Sequence, residues 1–185
     1  MVRTAAFVFI LFSAINAFGQ VENNLVDISG GYALSRSSGR NVNGWYGDIG
    51  VRAYKSLYAV GGVATGYYSE TRTLNNTPLQ VSATNYSIGG GPRLFLTRRH
   101  SVISPFADVF FSYLHGSANV LDTSNNLLGS LTVTGLGIDI GGGADFRLGE
   151  AFSVRVRPTL GISKVDGETS NGFGLLAGVV LHFGE

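Results

Sequence analysis

The chain contains no cysteine, and so has no disulfide framework, no thiolate metal site and no cysteine nucleophile. Charge is scarce as well: Asp, Glu, Lys and Arg make up 14% of the 185 residues, against about 25% in an ordinary soluble domain. Lysine occurs only at Lys55 and Lys164. The formal net charge of +1 offers nothing to a nucleic acid. No run of 18 apolar residues is present, so a membrane helix is excluded. What is abundant is glycine, at 27 residues, with aromatics at 11% and a mean hydropathy of +0.22. A chain this apolar is not disordered. Its length suits one domain, and its composition points to a β-rich protein whose solvent is partly not water.

The first residues read as an export signal. Arg3 supplies a positive charge, Ala5 to Ala14 form a short apolar core, and Ala17 and Gly19 are the small residues before a cleavage point. Cleavage is expected before Gln20, leaving 20–185 as the mature domain. A retained anchor would need about 20 apolar residues, roughly twice this run. Without Arg3, the basic residues equal the 12 acidic ones.

From residue 25 onward, hydrophobicity alternates with a period of two, the mark of strands with two unlike faces. Eight segments are predicted: Leu25–Ser35, Asn43–Tyr54, Leu57–Tyr68, Val81–Leu96, Ile103–Leu114, Leu131–Leu148, Phe152–Ser163 and Gly172–Phe183. In the first, Val26, Ile28, Tyr32 and Leu34 oppose Asp27, Ser29 and Ser35. In the second, Trp45, Ile49 and Val51 oppose Tyr46, Asp48, Arg52 and Tyr54. The third is apolar or small on both faces and has no assigned facing. In the sixth, Leu136, Ile138, Ile140, Ala144 and Phe146 oppose Asp139, Asp145 and Arg147. In the seventh, Val154, Val156, Leu160 and Ile162 oppose Ser153, Arg155 and Arg157.

Connections alternate in length too. Lys55-Ser56, 97–101 and Gly149-Glu150 are short, whereas 36–42, 69–80, 115–130 and 164–171 are longer and polar. Short turns on one rim and longer loops on the other characterise a transmembrane up-and-down barrel. Strands of about ten residues or more suit a tilted crossing of a ~30 Å hydrocarbon slab.

Two observations set the orientation. The polar face holds five aspartates (Asp27, Asp48, Asp108, Asp139, Asp145) and five arginines (Arg52, Arg93, Arg147, Arg155, Arg157), a balanced set suited to pairing in a lumen. Unpaired, each buried charge would cost several kcal/mol. By parity, Gly50, Gly89, Gly91, Gly141 and Gly143 share that face, making room for long side chains in a narrow interior. On the apolar face, Tyr32, Trp45, Tyr113 and Phe173 lie near the loop ends, and Phe146, Phe152 and Phe183 near the turn ends, as bilayer interfaces select. The alternative is a secreted, soluble, lipocalin-like barrel binding a small apolar ligand, with the apolar face inside.

The mature chain resembles the OmpA/OmpX-type small outer-membrane β-barrels. The most specific element is the end, Gly178-Val179-Val180-Leu181-His182-Phe183, which is similar to the C-terminal signal of outer-membrane proteins. Ala177 stands where that pattern has a polar residue, and Gly184-Glu185 follow the aromatic. The resemblance implies insertion by the barrel-assembly machinery and contact with outer-membrane lipid and lipopolysaccharide. It implies no single activity.

Candidate chemistry is sparse. His115-Gly116-Ser117-Ala118-Asn119 resembles the His-x-Ser-Asn element of outer-membrane lipid A deacylases, in which His and Ser serve as base and nucleophile. An acidic partner follows that element closely in the deacylases. Here the nearest later acid is Asp122, so a polar strand end is the favoured reading. His100, His115 and His182 share no spacing, and no metal site is expected. The triple-glycine runs lack the Lys-Ser/Thr of a phosphate loop, and no cofactor is expected. Asp48, Arg52, Arg93, Asp108, Asp139, Asp145, Arg147, Arg155 and Arg157 are expected to form a structural network inside the barrel, since eight strands leave no open channel. The chain is thus expected to be an all-β, eight-stranded, antiparallel, monomeric outer-membrane barrel with a structural or surface-interaction role and no catalytic site.

Overall fold

The computed structural model describes residues 26–37, 40–74, 77–96, 101–122 and 127–184. The expected export signal at 1–19, the start of the first segment at Leu25, and His100 with its turn lie outside the described residues. Eight strands follow in order: β1 Val26–Ser37, β2 Arg40–Tyr54, β3 Leu57–Leu74, β4 Thr77–Phe95, β5 Ile103–Leu121, β6 Leu127–Arg147, β7 Phe152–Val165 and β8 Glu168–Phe183. Each pairs antiparallel with the next, and β8 returns to β1, closing the barrel. The closing register runs from Val26↔Phe183 to Ser37↔Gly172. A single closed ladder satisfies the backbone polar groups without an exposed edge.

The side chains sort by parity along each strand, and the charged ones go inward. Arg155 and Arg93 are 0% and 1% exposed, among the largest fully buried side chains of the described residues, whereas Leu160 and Ile140 on the outer wall are 65% and 60% exposed. The soluble-barrel alternative requires the reverse and is overturned. On β3, where alternation was silent, Tyr58 and Val60 point inward and Leu57, Val63 and Tyr67 outward.

Three expectations need correction. The four longer loops are largely strand: β3 continues to Leu74 and β4 begins at Thr77, β5 continues to Leu121, and β6 begins at Leu127. Both faces of these extensions are polar or mixed, which removed the alternation, yet the inter-strand ladder carries on from Gln80↔Leu121 and Leu74↔Thr77 downward. The expected loop at 164–171 contracts to a two-residue turn. Asp166 and Gly167 take φ of 48° and 89° between Val165 and Glu168, the left-handed pair that suits the twist of a hairpin. Tyr54 does not share the inner face with Asp48. A register shift between Arg52 and Tyr54 turns its ring outward, 62% exposed, with the Lys55 ammonium 5.0 Å from its centroid.

Candidate functional site

The lumen is built in layers. Nearest the short turns, Tyr58, Val60, Phe95 and Phe106 form the buried apolar cluster, with Phe110 packed against it. Tyr58 and Phe95 meet edge to face at 5.1 Å, and Phe95 and Phe106 at 5.6 Å. Sequence reading passed over this plug because its aromatics stand among the charges. Parity was the available signal, since Phe95 lies two residues from Arg93 and Phe106 two from Asp108.

Above the plug lies a relay of alternating charges. Arg155 grips Asp145 with two parallel bonds, Nε–Oδ1 at 2.7 Å and Nη2–Oδ2 at 2.8 Å. Its Nη1 reaches Asp48 at 3.3 Å. Asp48 also accepts from Arg93 at 3.3 and 3.4 Å, and Arg93 donates through Nε to Asp108 at 3.0 Å. Asp108 in turn accepts from Arg157 Nε at 3.0 Å. The order across the lumen is therefore Asp145, Arg155, Asp48, Arg93, Asp108, Arg157, three acids alternating with three bases. The guanidinium carbons of Arg93 and Arg155 also lie 4.8 and 5.1 Å from the Phe106 centroid. Charge-assisted pairs of this kind hold buried ions that would otherwise be destabilising.

The other charged residues expected in the lumen stand differently. Arg147 sits at the turn rim, where its Nε and Nη2 donate to the carbonyls of Gly149 and Glu150 at 3.0 Å. Arg52 is half-buried near the same rim. Asp139 faces the lumen on β6 but makes no hydrogen bond or ion pair among the described residues. A separate pair was not foreseen: His182 Nδ1 lies 2.7 Å from Asp27, and its Nε2 2.8 Å from Ser153 Oγ.

Toward the hairpin end, the relay gives way to a cavity of about 350 Å³. Its floor includes Tyr46, Asp48, Phe110, Asp139 and Arg157. Two buried polar atoms here, Tyr46 Oη and Arg157 Nη2, have no hydrogen-bond partner among the described residues. Glycine makes the space. A Cβ on Gly141 would run into Asp108 and lie 2.9 Å from Arg157 Nε, and one on Gly137 would lie 2.9 Å from Ser112 Oγ.

His115 and Ser117 are on the outer wall. The His115 ring stacks on Tyr86, centroids 4.7 Å apart and 28° between planes. Cross-strand pairing places it in a row of outward residues that links Thr65, Tyr86, His115 and Thr134, beside the pair Tyr32 and Trp45. The imidazole is thus part of the aromatic rim. Neither the His115 nor the Ser117 side chain forms a hydrogen bond among the described residues, so no base is oriented toward the hydroxyl. The described residues hold no cluster of His, Cys, Asp or Glu able to bind a metal ion.

No protein-family model matches the chain, and no curated protein matches it. Solved structures do match. The attachment invasion locus protein Ail of Yersinia pestis, crystallised with the heparin analogue sucrose octasulfate, is 20% identical, with a TM-score of 0.59 over 86% of this chain and 99% of that one. Neisserial surface protein A is 16% identical, with a TM-score of 0.58 over 86% and 97%. The outer membrane protein OprG of Pseudomonas aeruginosa is 10% identical, with a TM-score of 0.59 over 89% and 98%. The chain has the fold of the small eight-stranded outer-membrane β-barrels.

Proposed function

We propose that the chain is an integral outer-membrane β-barrel that works as a monomer, is non-catalytic, and acts through the surface hairpins that rise beyond the membrane. The observation that carries this reading is the inversion of the barrel. Buried ion pairs fill the middle, while Ile49, Ile88, Phe111, Ile138, Ile140, Leu160 and their neighbours form an apolar exterior. Such an exterior far exceeds the few hundred Å² of apolar patch that a soluble monomer tolerates. Tyr32, Trp45, Tyr67, Tyr86, Tyr113 and Phe173 toward the hairpins, and Tyr54, Phe146, Phe152 and Phe183 toward the turns, are exposed where the two interfaces of a bilayer would fall. Removal of the first 19 residues on export, insertion by the barrel-assembly machinery, and contact with lipid and lipopolysaccharide around the belt complete the proposal.

Trp45, the only tryptophan, reports the placement. In the refolded protein, brominated acyl chains should quench its fluorescence most when bromine lies near the interface and least at the bilayer centre. On an unboiled gel the folded protein should run ahead of the boiled one. Recovery from cells without detergent, with Trp45 unquenched at every depth, would refute the proposal.

A further inference from the structure

The closed wall is not of even height. β5 and β6 pair as far up as Leu121↔Leu127, whereas β7 leaves β6 at Gly135↔Val165 and turns back through Asp166 and Gly167. The stretch Leu127–Thr134 is therefore bonded to β5 along one side, and among the described residues no strand lies along the other. At the rise of an extended chain it is about 23 Å long. The Asp166 N–H donates to the Thr134 carbonyl at 3.4 Å, which fixes the direction of that residue's peptide groups. Direction alternates along an antiparallel strand. Ser130 and Thr132 therefore aim their N–H and C=O groups the same way, into the space that β7 would fill had it not turned.

This margin lacks the protection that strand edges ordinarily carry, which is charge, proline or a bulge. Leu127-Leu128-Gly129-Ser130-Leu131-Thr132-Val133-Thr134 contains no charge and no proline. The register shift that leaves Leu128 over is confined to the hairpin end, and Gly129 to Thr134 run regularly against β5. Leu131, opposite Ala118, is 61% exposed. The other raised margin differs. β3 runs past its last β2 partner, at Asn43↔Tyr67, to Leu74, but Glu70 and Arg72 stand in that stretch, and the Arg40 guanidinium lies 5.4 Å from the Tyr68 ring centroid.

The edge also defines what fits it. Its peptide groups call for an extended chain. Leu131 and Val133 lie on one face and Ser130 and Thr132 on the other, so aliphatic and hydroxyl residues make the favourable cross-strand pairs. A charged strand would lose water against Leu131 and gain no counter-ion. A second copy in the same membrane does not fit, because every copy sends β6 downward in the same sense and two such edges cannot meet antiparallel.

We propose that the β6 margin from Gly129 to Thr134 is a docking site for an extended, uncharged segment of another protein, which adds antiparallel as a further strand. Its position beyond the aromatic rim, where His115 stands opposite Thr134, rests on the membrane placement proposed above, whereas the pairing itself does not. The test uses the full refolded chain in detergent micelles, with folding checked by gel mobility. The probe is a fluorescent heptapeptide of alternating threonine and valine, N-methylated along one edge so that it cannot stack on itself. Anisotropy should show saturable binding, and amide exchange should slow at Ser130 and Thr132. The same peptide methylated at every amide, or with glutamate and lysine in place of its valines, should bind at least about tenfold more weakly. Thr132→Pro removes an N–H on the open side and leaves the β5 ladder in place, and should weaken the probe by about tenfold. Leu131→Lys, a substitution at an exposed position, should do the same by placing a charge on the edge. No saturable binding in the millimolar range, unchanged binding to both folded variants, equal binding of either control peptide, or slowed exchange only outside Leu127–Thr134 would each overturn the proposal. So would a dimer of the chain that Thr132→Pro abolishes, since it would give the edge to a second copy. Because the measurement needs no bilayer, its failure would leave the membrane placement standing.

Discussion

Replacing Arg155 by Met gives the sharpest trial of the luminal relay. The methionine keeps much of the side-chain volume and removes the guanidinium. Asp48 retains Arg93, at 3.3 and 3.4 Å. Asp145, 3% exposed, loses the two bonds of 2.7 and 2.8 Å that pair it with Arg155. Stranding a buried charge in this way costs about 3–5 kcal/mol. Adding Asp145→Asn removes the stranded charge, so the double variant should be more stable than Arg155→Met alone, with a coupling of about 2 kcal/mol. The measurement is urea unfolding in lipid vesicles, with the folded fraction read from unboiled gel mobility and the free energy taken from midpoint and slope. Salt should change the single variant's deficit little, because buried pairs are weakly screened. A loss below about 1 kcal/mol for Arg155→Met, or a double variant as unstable as the sum of the singles, would show that the pair is not a buried, mutually dependent one.

Two further outcomes follow from the same geometry. Ile140→Arg places a cation on the outer wall near mid-barrel and should destabilise the protein by about 2–4 kcal/mol in the vesicle assay, with much less effect in a micelle that can deform around it. A neutral result in vesicles would contradict a hydrocarbon environment at this position. On the rim, His115→Ala should lose at most about 1.5 kcal/mol from the stack on Tyr86. Neither it nor Ser117→Ala should alter the acyl pattern of lipid A in cells expressing the protein, and a change with either variant would revive a hydrolytic reading.

The facing of seven strands was legible because the period-two pattern is a direct print of two unlike faces, an apolar exterior and a charged interior. Ile138, Asp139 and Ile140 alternate because one face is the apolar exterior of the barrel and the other lines a charged lumen. The pattern fades where that contrast ends. In Ser69–Gln80 and His115–Ser130 both faces are polar or mixed, and the ladder continues on backbone hydrogen bonds to which alternation is blind. The Asp166-Gly167 turn carried its own signal, an Asp-Gly pair between alternating segments. Tyr54 was misplaced because a single register shift inverts parity and leaves no trace in composition. For the lumen, residue types and balance could be read from the sequence, but partners could not. Which aspartate meets which arginine depends on how the wall curves and on where glycines such as Gly141 let a guanidinium cross. Hence Asp139, indistinguishable from Asp145 in the pattern, stands apart from the relay.

The seam where β8 meets β1 bears on how such a molecule can come into being. Val26 and Phe183 stand side by side although almost the whole polypeptide separates them in sequence. Until the last-made segment arrives, the wall has two raw margins of unpaired amides and carbonyls, and Asp27 lacks His182 as its neighbour. Closure must therefore wait for β8. Open, the sheet presents two strand edges of the kind that invites pairing with other chains, and the contact that finishes the cylinder joins its first and last strands.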